Sequence, residues 1–127
     1  MTNHEGTGMC FLLVDDEPAL RLALARSLTA RGHMVDLAAT HQEAVTAALG
    51  THYDLLLLDI NLPDATGWDV LRDLEAAGRS LPTVVFSAVP PSAQRVREFR
   101  PMGVLTKPFP IDALLRFVDR IQEGKPV

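Results

Sequence analysis

Apolar residues come in short runs along this chain, and segments with helical spacing separate them. Runs at 10–14 (CFLLV), 34–38 (MVDLA), 54–58 (DLLLL), 83–87 (TVVFS) and 102–106 (MGVLT) have the length of buried strands. Five strands alternating with helices predict a mostly parallel sheet with helices on both faces.

The intervening segments carry helix signals of their own. The first helix starts at Pro18, a favoured first-turn residue, and Gly32 stops it. Leu20, Ala23, Leu24 and Leu28 share its core face, while Leu22 points away. Thr40, His41, Gln42 and Glu43 form a capping-box pattern for a second helix, with Ala44, Val45, Ala48 and Leu49 inward and Gly50 at its end. A third helix spans about 67–77, with Val70, Leu71 and Leu74 inward. The fourth must fit between Pro90-Pro91 and Pro101, so it is short, roughly 92–100. The fifth, 111–123, repeats Ile111, Leu114, Leu115, Val118 and Ile121 at helical spacing.

Composition narrows the picture. A chain of 127 residues suits one domain, and 47% apolar content leaves disorder only to its ends. The expected domain is 9–123, with a flexible N-terminus at 1–8 and a tail at 124–127. A net charge of −4 argues against direct nucleic-acid binding. No signal-peptide core and no membrane-length apolar stretch are found, and a lone cysteine excludes an internal disulfide, so a cytoplasmic location is expected. Cys10 reads as a buried core thiol. His4, His33, His41 and His52 lack zinc-site spacing and read as surface residues. The chain stops at EGKPV soon after the fifth helix, and no output domain is expected in it.

Candidate chemistry collects at one sheet edge. In an open parallel sheet, ligands bind beyond the carboxyl ends of the strands. Asp15 and Asp16 follow the first strand, Asp59 the third and Lys107 the fifth, while Ser87 ends the fourth. Three crowded carboxylates repel one another, and a divalent cation relieves that repulsion. Oxygen-only ligands favour Mg²⁺. A carboxylate nucleophile beside a metal and an ammonium suits an incoming phosphoryl group, with Asp59 attacking and Ser87 offering a hydrogen bond. No GxxxxGK[ST] or GxSxG motif is present, so ATP binding of the P-loop kind and hydrolase-type serine chemistry have no support.

The segments LLVDDEP (12–18), LLLLDINLPDATGWDVL (55–71), VVFSA (84–88) and LTKPF (105–109) resemble the receiver domains of bacterial two-component systems, the CheY-like family. The resemblance covers about residues 9–123. It implies a flavodoxin-like (βα)5 fold with strand order 2-1-3-4-5. It also implies a phosphoacceptor rather than an enzyme, charged by a phosphohistidine of a sensor histidine kinase or a histidine phosphotransfer protein. Asp59 matches the phosphate-accepting aspartate and Asp16 the direct Mg²⁺ ligand. Asp15 matches the neighbour acting through water, and Asn61 the position whose main-chain carbonyl ligates the metal. Ser87 matches the switch hydroxyl, and Lys107 the lysine that contacts the phosphoryl group. Lys107–Pro108 matches a typically cis peptide bond, and Gly67 the glycine that lets the chain turn into the third helix.

Two features depart from the family pattern. Val104 stands where an aromatic is usual, and valine cannot swing inward in its place. The fourth helix, flanked by prolines, belongs to the usual signalling face. Both point to an altered readout. Val89, two beyond Ser87, cannot orient water, so a long-lived phospho-state is expected. Leu22 is a candidate kinase-docking residue, and Trp68 is expected to pack at the start of the third helix. The alternative is a receiver-like interaction module that signals without phosphate. A metal-dependent phosphohydrolase would need a general acid two residues beyond Asp59, where Asn61 stands. The downstream protein target is not named by the sequence, and the oligomeric state is open, a homodimer included.

Overall fold

The computed structural model describes residues 8–124, and the expectations for His4 and for residues 1–7 and 125–127 lie outside that span. Five strands, β1 (Cys10–Val14), β2 (Met34–Ala38), β3 (Leu55–Asp59), β4 (Thr83–Ser87) and β5 (Gly103–Thr106), alternate with five helices. The helices are α1 (Pro18–Ala30), α2 (His41–Gly50), α3 (Gly67–Ala76), α4 (Ala93–Phe99) and α5 (Ile111–Glu123). All strand pairs are parallel, in the order 2-1-3-4-5. The order reverses between β1 and β3, and their carboxyl ends open the crevice where this class of sheet binds ligands.

The leucine run of β3 is continuous because both of its faces are covered. Leu55 and Leu57 join Phe11, Leu13, Val84 and Phe86 beneath α1 and α5, where Leu24, Leu28, Leu114 and Val118 close the layer. Leu56 and Leu58 join Leu12 and Val14 on the opposite face against Ala44, Ala48, Val70 and Leu74 of α2 and α3. Ile60, Trp68 and Val85 form a smaller cluster with half-buried Phe99 and Val104.

Several sequence expectations shift. β3 starts one residue later than expected, and Asp54 ahead of it holds Cys10 from both sides, its carboxylate accepting the Cys10 N–H at 2.8 Å and its N–H donating to the Cys10 carbonyl at 2.7 Å. β5 likewise starts one residue later than expected, at Gly103, with the Met102 N–H donating to the Thr83 carbonyl just ahead of the paired register. Cys10 is half-buried rather than enclosed, standing first in β1 opposite the exposed Met34 of edge strand β2. Burial, with Asp36 and Asp54 nearby, pushes its thiol up. His33 is buried at 4% exposure, not on the surface. Its ring lies 4.9 Å from that of Phe11, and its Nδ1 accepts the Met9 N–H at 3.0 Å. His41 is half-buried at the start of α2, with Nε2 2.7 Å from Asp73, whereas His52 is exposed as expected. Leu49 faces solvent rather than the core, as does Leu22 at 49% exposure, as expected.

The helix ends follow local chemistry. The Thr40 hydroxyl accepts the Glu43 N–H at 3.1 Å, but Glu43 reaches back to the N–H of Ala39 instead of closing on Thr40. A reciprocal capping box does close at α3, between Thr66 and Asp69. The loop from β3 to α3 is tied to α2, where Asp64 accepts the N–H groups of His41 (2.8 Å) and Gln42 (3.2 Å). The first of these bonds leads in holding the Asp64 carboxyl below its ordinary range.

Candidate functional site

The carboxyl edge of the sheet gathers the charged residues expected there. Asp15 leaves β1 fully buried, and Asp59 closes β3 at 3% exposure. The neighbouring Asp16 is exposed. One carboxylate oxygen from each of the three lies within 4.8 Å of the others. Lys107 reaches in from beyond β5, placing Nζ 2.9 Å from Asp59 Oδ2 and 3.0 Å from Asp15 Oδ2. The second oxygen of Asp59 accepts the Asn61 N–H at 3.0 Å, and that of Asp15 accepts the Glu17 N–H at 2.9 Å. The Lys107–Pro108 bond is cis, and the Lys107 N–H donates to the Ser87 carbonyl at 2.8 Å.

Electrostatics follow from this crowding. Burial raises the pKa of Asp59, and Asp15 adds to the rise, while the bonds from Lys107 and Asn61 offset part of it. Burial also works against the Lys107 ammonium, yet its bonds to Asp59 and Asp15 and their charges outweigh that, and its pKa is raised. One ammonium thus pairs with two buried carboxylates, while the third, Asp16, lies within reach of both. The donor set is oxygen-only and carries excess negative charge, which fits a hard divalent cation such as Mg²⁺.

Ser87 is the partial exception. It is buried at the end of β4, but its hydroxyl turns to its own loop, donating to the Val89 carbonyl and lying 3.3 Å from the Val89 N–H. Asn61 forms an isolated bridge with Thr66, which closes the loop after Asp59. Gly67 packs on that loop: a Cβ there would lie 2.6 Å from the Asp59 carbonyl oxygen.

One contributor escaped the sequence reading. The Arg21 guanidinium donates to the Asp15 carbonyl at 2.9 Å, bracing the turn that presents Asp15 and Asp16. Its only trace in the sequence is a basic residue one turn into the helix that follows two aspartates.

Comparison with known proteins agrees with this geometry. A family model described as the response regulator receiver domain matches residues 11–119. The transcriptional regulatory protein CusR of Escherichia coli is 37% identical over 109 residues, 84% of this chain and 48% of that protein. The transcriptional regulatory protein TcrA of Mycobacterium tuberculosis is 32% identical over 123 residues, 95% of this chain and 49% of that protein. The chain therefore spans about half the length of these curated relatives. Among solved structures, the response regulator TrrA of Thermotoga maritima in complex with Mg²⁺–BeF aligns at a TM-score of 0.77 and 26% identity, covering 89% of this chain and 98% of that one. The non-phosphorylated HemR receiver domain of Leptospira biflexa aligns at 0.81 and 28% identity, covering 90% and 94%.

Proposed function

This chain belongs to the response regulator receiver domain family of two-component systems, and from that premise we propose that Asp59 is its phosphoacceptor. The observation that carries the reading is the Asp59–Lys107–Asp15 contact, with Asp16 within reach of the same point. A carboxylate oxygen of Asp59 attacks the phosphorus of a phosphohistidine on a sensor kinase or phosphotransfer protein. The new P–O bond forms as the P–N bond breaks, and the imidazole leaves with the bonding pair and takes up a proton. Lys107 faces the phosphoryl oxygens and offsets their charge. The Ser87 hydroxyl, released from Val89, donates to one of them.

Asp16 and Asp59 would hold Mg²⁺ directly, with the Asn61 main-chain carbonyl as a further ligand and Asp15 acting through water. Bound there, the ion supplies positive charge against the phosphoryl oxygens. Val89 is 71% exposed and offers no polar side-chain group to orient a hydrolytic water, so the acyl phosphate is long-lived in this reading. Val104 sits half-buried with Ile60, Trp68 and Val85, and a readout that needs an aromatic at that position is not available.

Incubation with acetyl phosphate and Mg²⁺, followed by intact-mass measurement, tests the proposal. Wild type gains one phosphoryl group and Asp59→Asn gains none. A wild type that gains none leaves the phosphate-independent interaction module as the better reading.

A further inference from the structure

Trp68 is the only tryptophan in the chain. It lies in the first turn of α3, 7% exposed, directly after the glycine that packs on the Asp59–Ile60 backbone. The Gly67 N–H also donates to the Ile60 carbonyl at 2.8 Å. Little slack therefore separates the Asp59 segment from the indole. On its other side the indole stacks on Phe99, the last residue of α4, with ring centroids 5.3 Å apart and planes 19° from parallel. The Arg72 guanidinium, four residues beyond Trp68, lies 5.5 Å from the Phe99 ring centroid and pairs with Glu98 at 3.9 Å.

α4 itself has no buried residue. The ring and ion-pair contacts that tie it to α3 lie in its last turn, at Glu98 and Phe99. The loop leading to it starts at Ser87, whose hydroxyl is bonded to the Val89 backbone. Its carboxyl end is held through Phe99. Val104 belongs to the same apolar cluster but contributes only a short branched side chain.

We propose that the Trp68–Phe99 stack carries the phosphorylation state of Asp59 to α4, in place of residue 104. The inference rests on Asp59 being the phosphoacceptor. A phosphoryl group enlarges Asp59 and adds negative charge, so the Asp59–Ile60 segment adjusts against its new load. Gly67 and Trp68 move with that segment because they are packed on it. Phe99 follows the indole, and α4, which has no buried residue of its own, follows Phe99.

The experiment compares wild type, Phe99→Leu, Trp68→Phe and Val104→Ala, each with and without acetyl phosphate and Mg²⁺. Three quantities are read: intact mass, indole emission where Trp68 remains, and hydrogen exchange of the α4 amides. In wild type, phosphorylation changes the emission and alters α4 exchange on the order of tenfold. Phe99→Leu gains the phosphoryl group, but its α4 exchange no longer responds. Trp68→Phe keeps an aromatic partner and keeps the response, as does Val104→Ala. Phosphorylated wild type with unaltered emission and α4 exchange overturns the inference alone. So does a full response in Phe99→Leu, or a response lost in Val104→Ala. A wild type that gains no phosphoryl group sinks the acceptor reading, and this inference with it.

Discussion

Asp59 is held where charge is unfavourable, and its surroundings cost the fold stability. Its ionised form is penalised first by burial and further by Asp15. Replacement by the neutral isostere in Asp59→Asn removes that penalty while keeping a carbonyl oxygen to accept from Lys107 or Asn61. The metal-free variant is therefore expected to melt above wild type in a thermal scan. Gly67 bears the opposite constraint. A methyl group there would stand 2.6 Å from a backbone oxygen, so Gly67→Ala forces a main-chain shift and costs about 1–3 kcal/mol in a urea titration. Strand-end carboxylates and the lysine were legible because polar groups that close apolar runs stand out. His33 was not, because its burial comes from Phe11 and from the N–H of Met9, both distant in the chain.

Among the elements, helices were read through their punctuation. Pro18 opens α1, Thr40 caps α2, and prolines on either side confine α4 to seven residues. The Thr66–Asp69 box escaped notice because aspartate takes the place of the longer glutamate or glutamine usual at that position. The residue that caps α4, directly after Phe99, is Arg100, the single described non-glycine residue with positive φ (49°), whose N–H donates to the Val96 carbonyl at 2.8 Å. A Cβ is unfavourable in that conformation and glycine is the preferred residue there. Arg100→Gly should stabilise the protein by about 1 kcal/mol, read from the urea midpoint, and it should slow hydrogen exchange in α4.

At the scale of the whole molecule, alternation of strands and helices was enough to predict a parallel sheet but not the order of its strands. That order came from the family resemblance, because periodicity records which faces are buried and not which strands are neighbours. The fold also ties stability to pH through His33. Burial lowers its pKa, the Arg31 charge adds to that effect, and Asp119 opposes it, the latter two being paired with each other at 2.7 Å. The unfolded chain takes up this proton near the ordinary value of 6.5, whereas the native chain does so only at lower pH. Between the two values the unfolded state holds more protons, so the contribution is complete above the ordinary value and is lost as pH falls toward the native one. Urea midpoints measured from about pH 7.5 down to about 5.5 should fall, with a shallower slope in His33→Gln.

Apart from Phe99, which packs on the Trp68 cluster, α4 presents exposed or half-buried side chains, and its outward positions are free to diverge. Substitutions at Gln94 or Arg97 would leave the carboxylate pocket and the sheet untouched while giving a partner a different surface to recognise. Under the proposed function, specificity is thereby separable from chemistry: a new listener is acquired without rebuilding the part that receives the message.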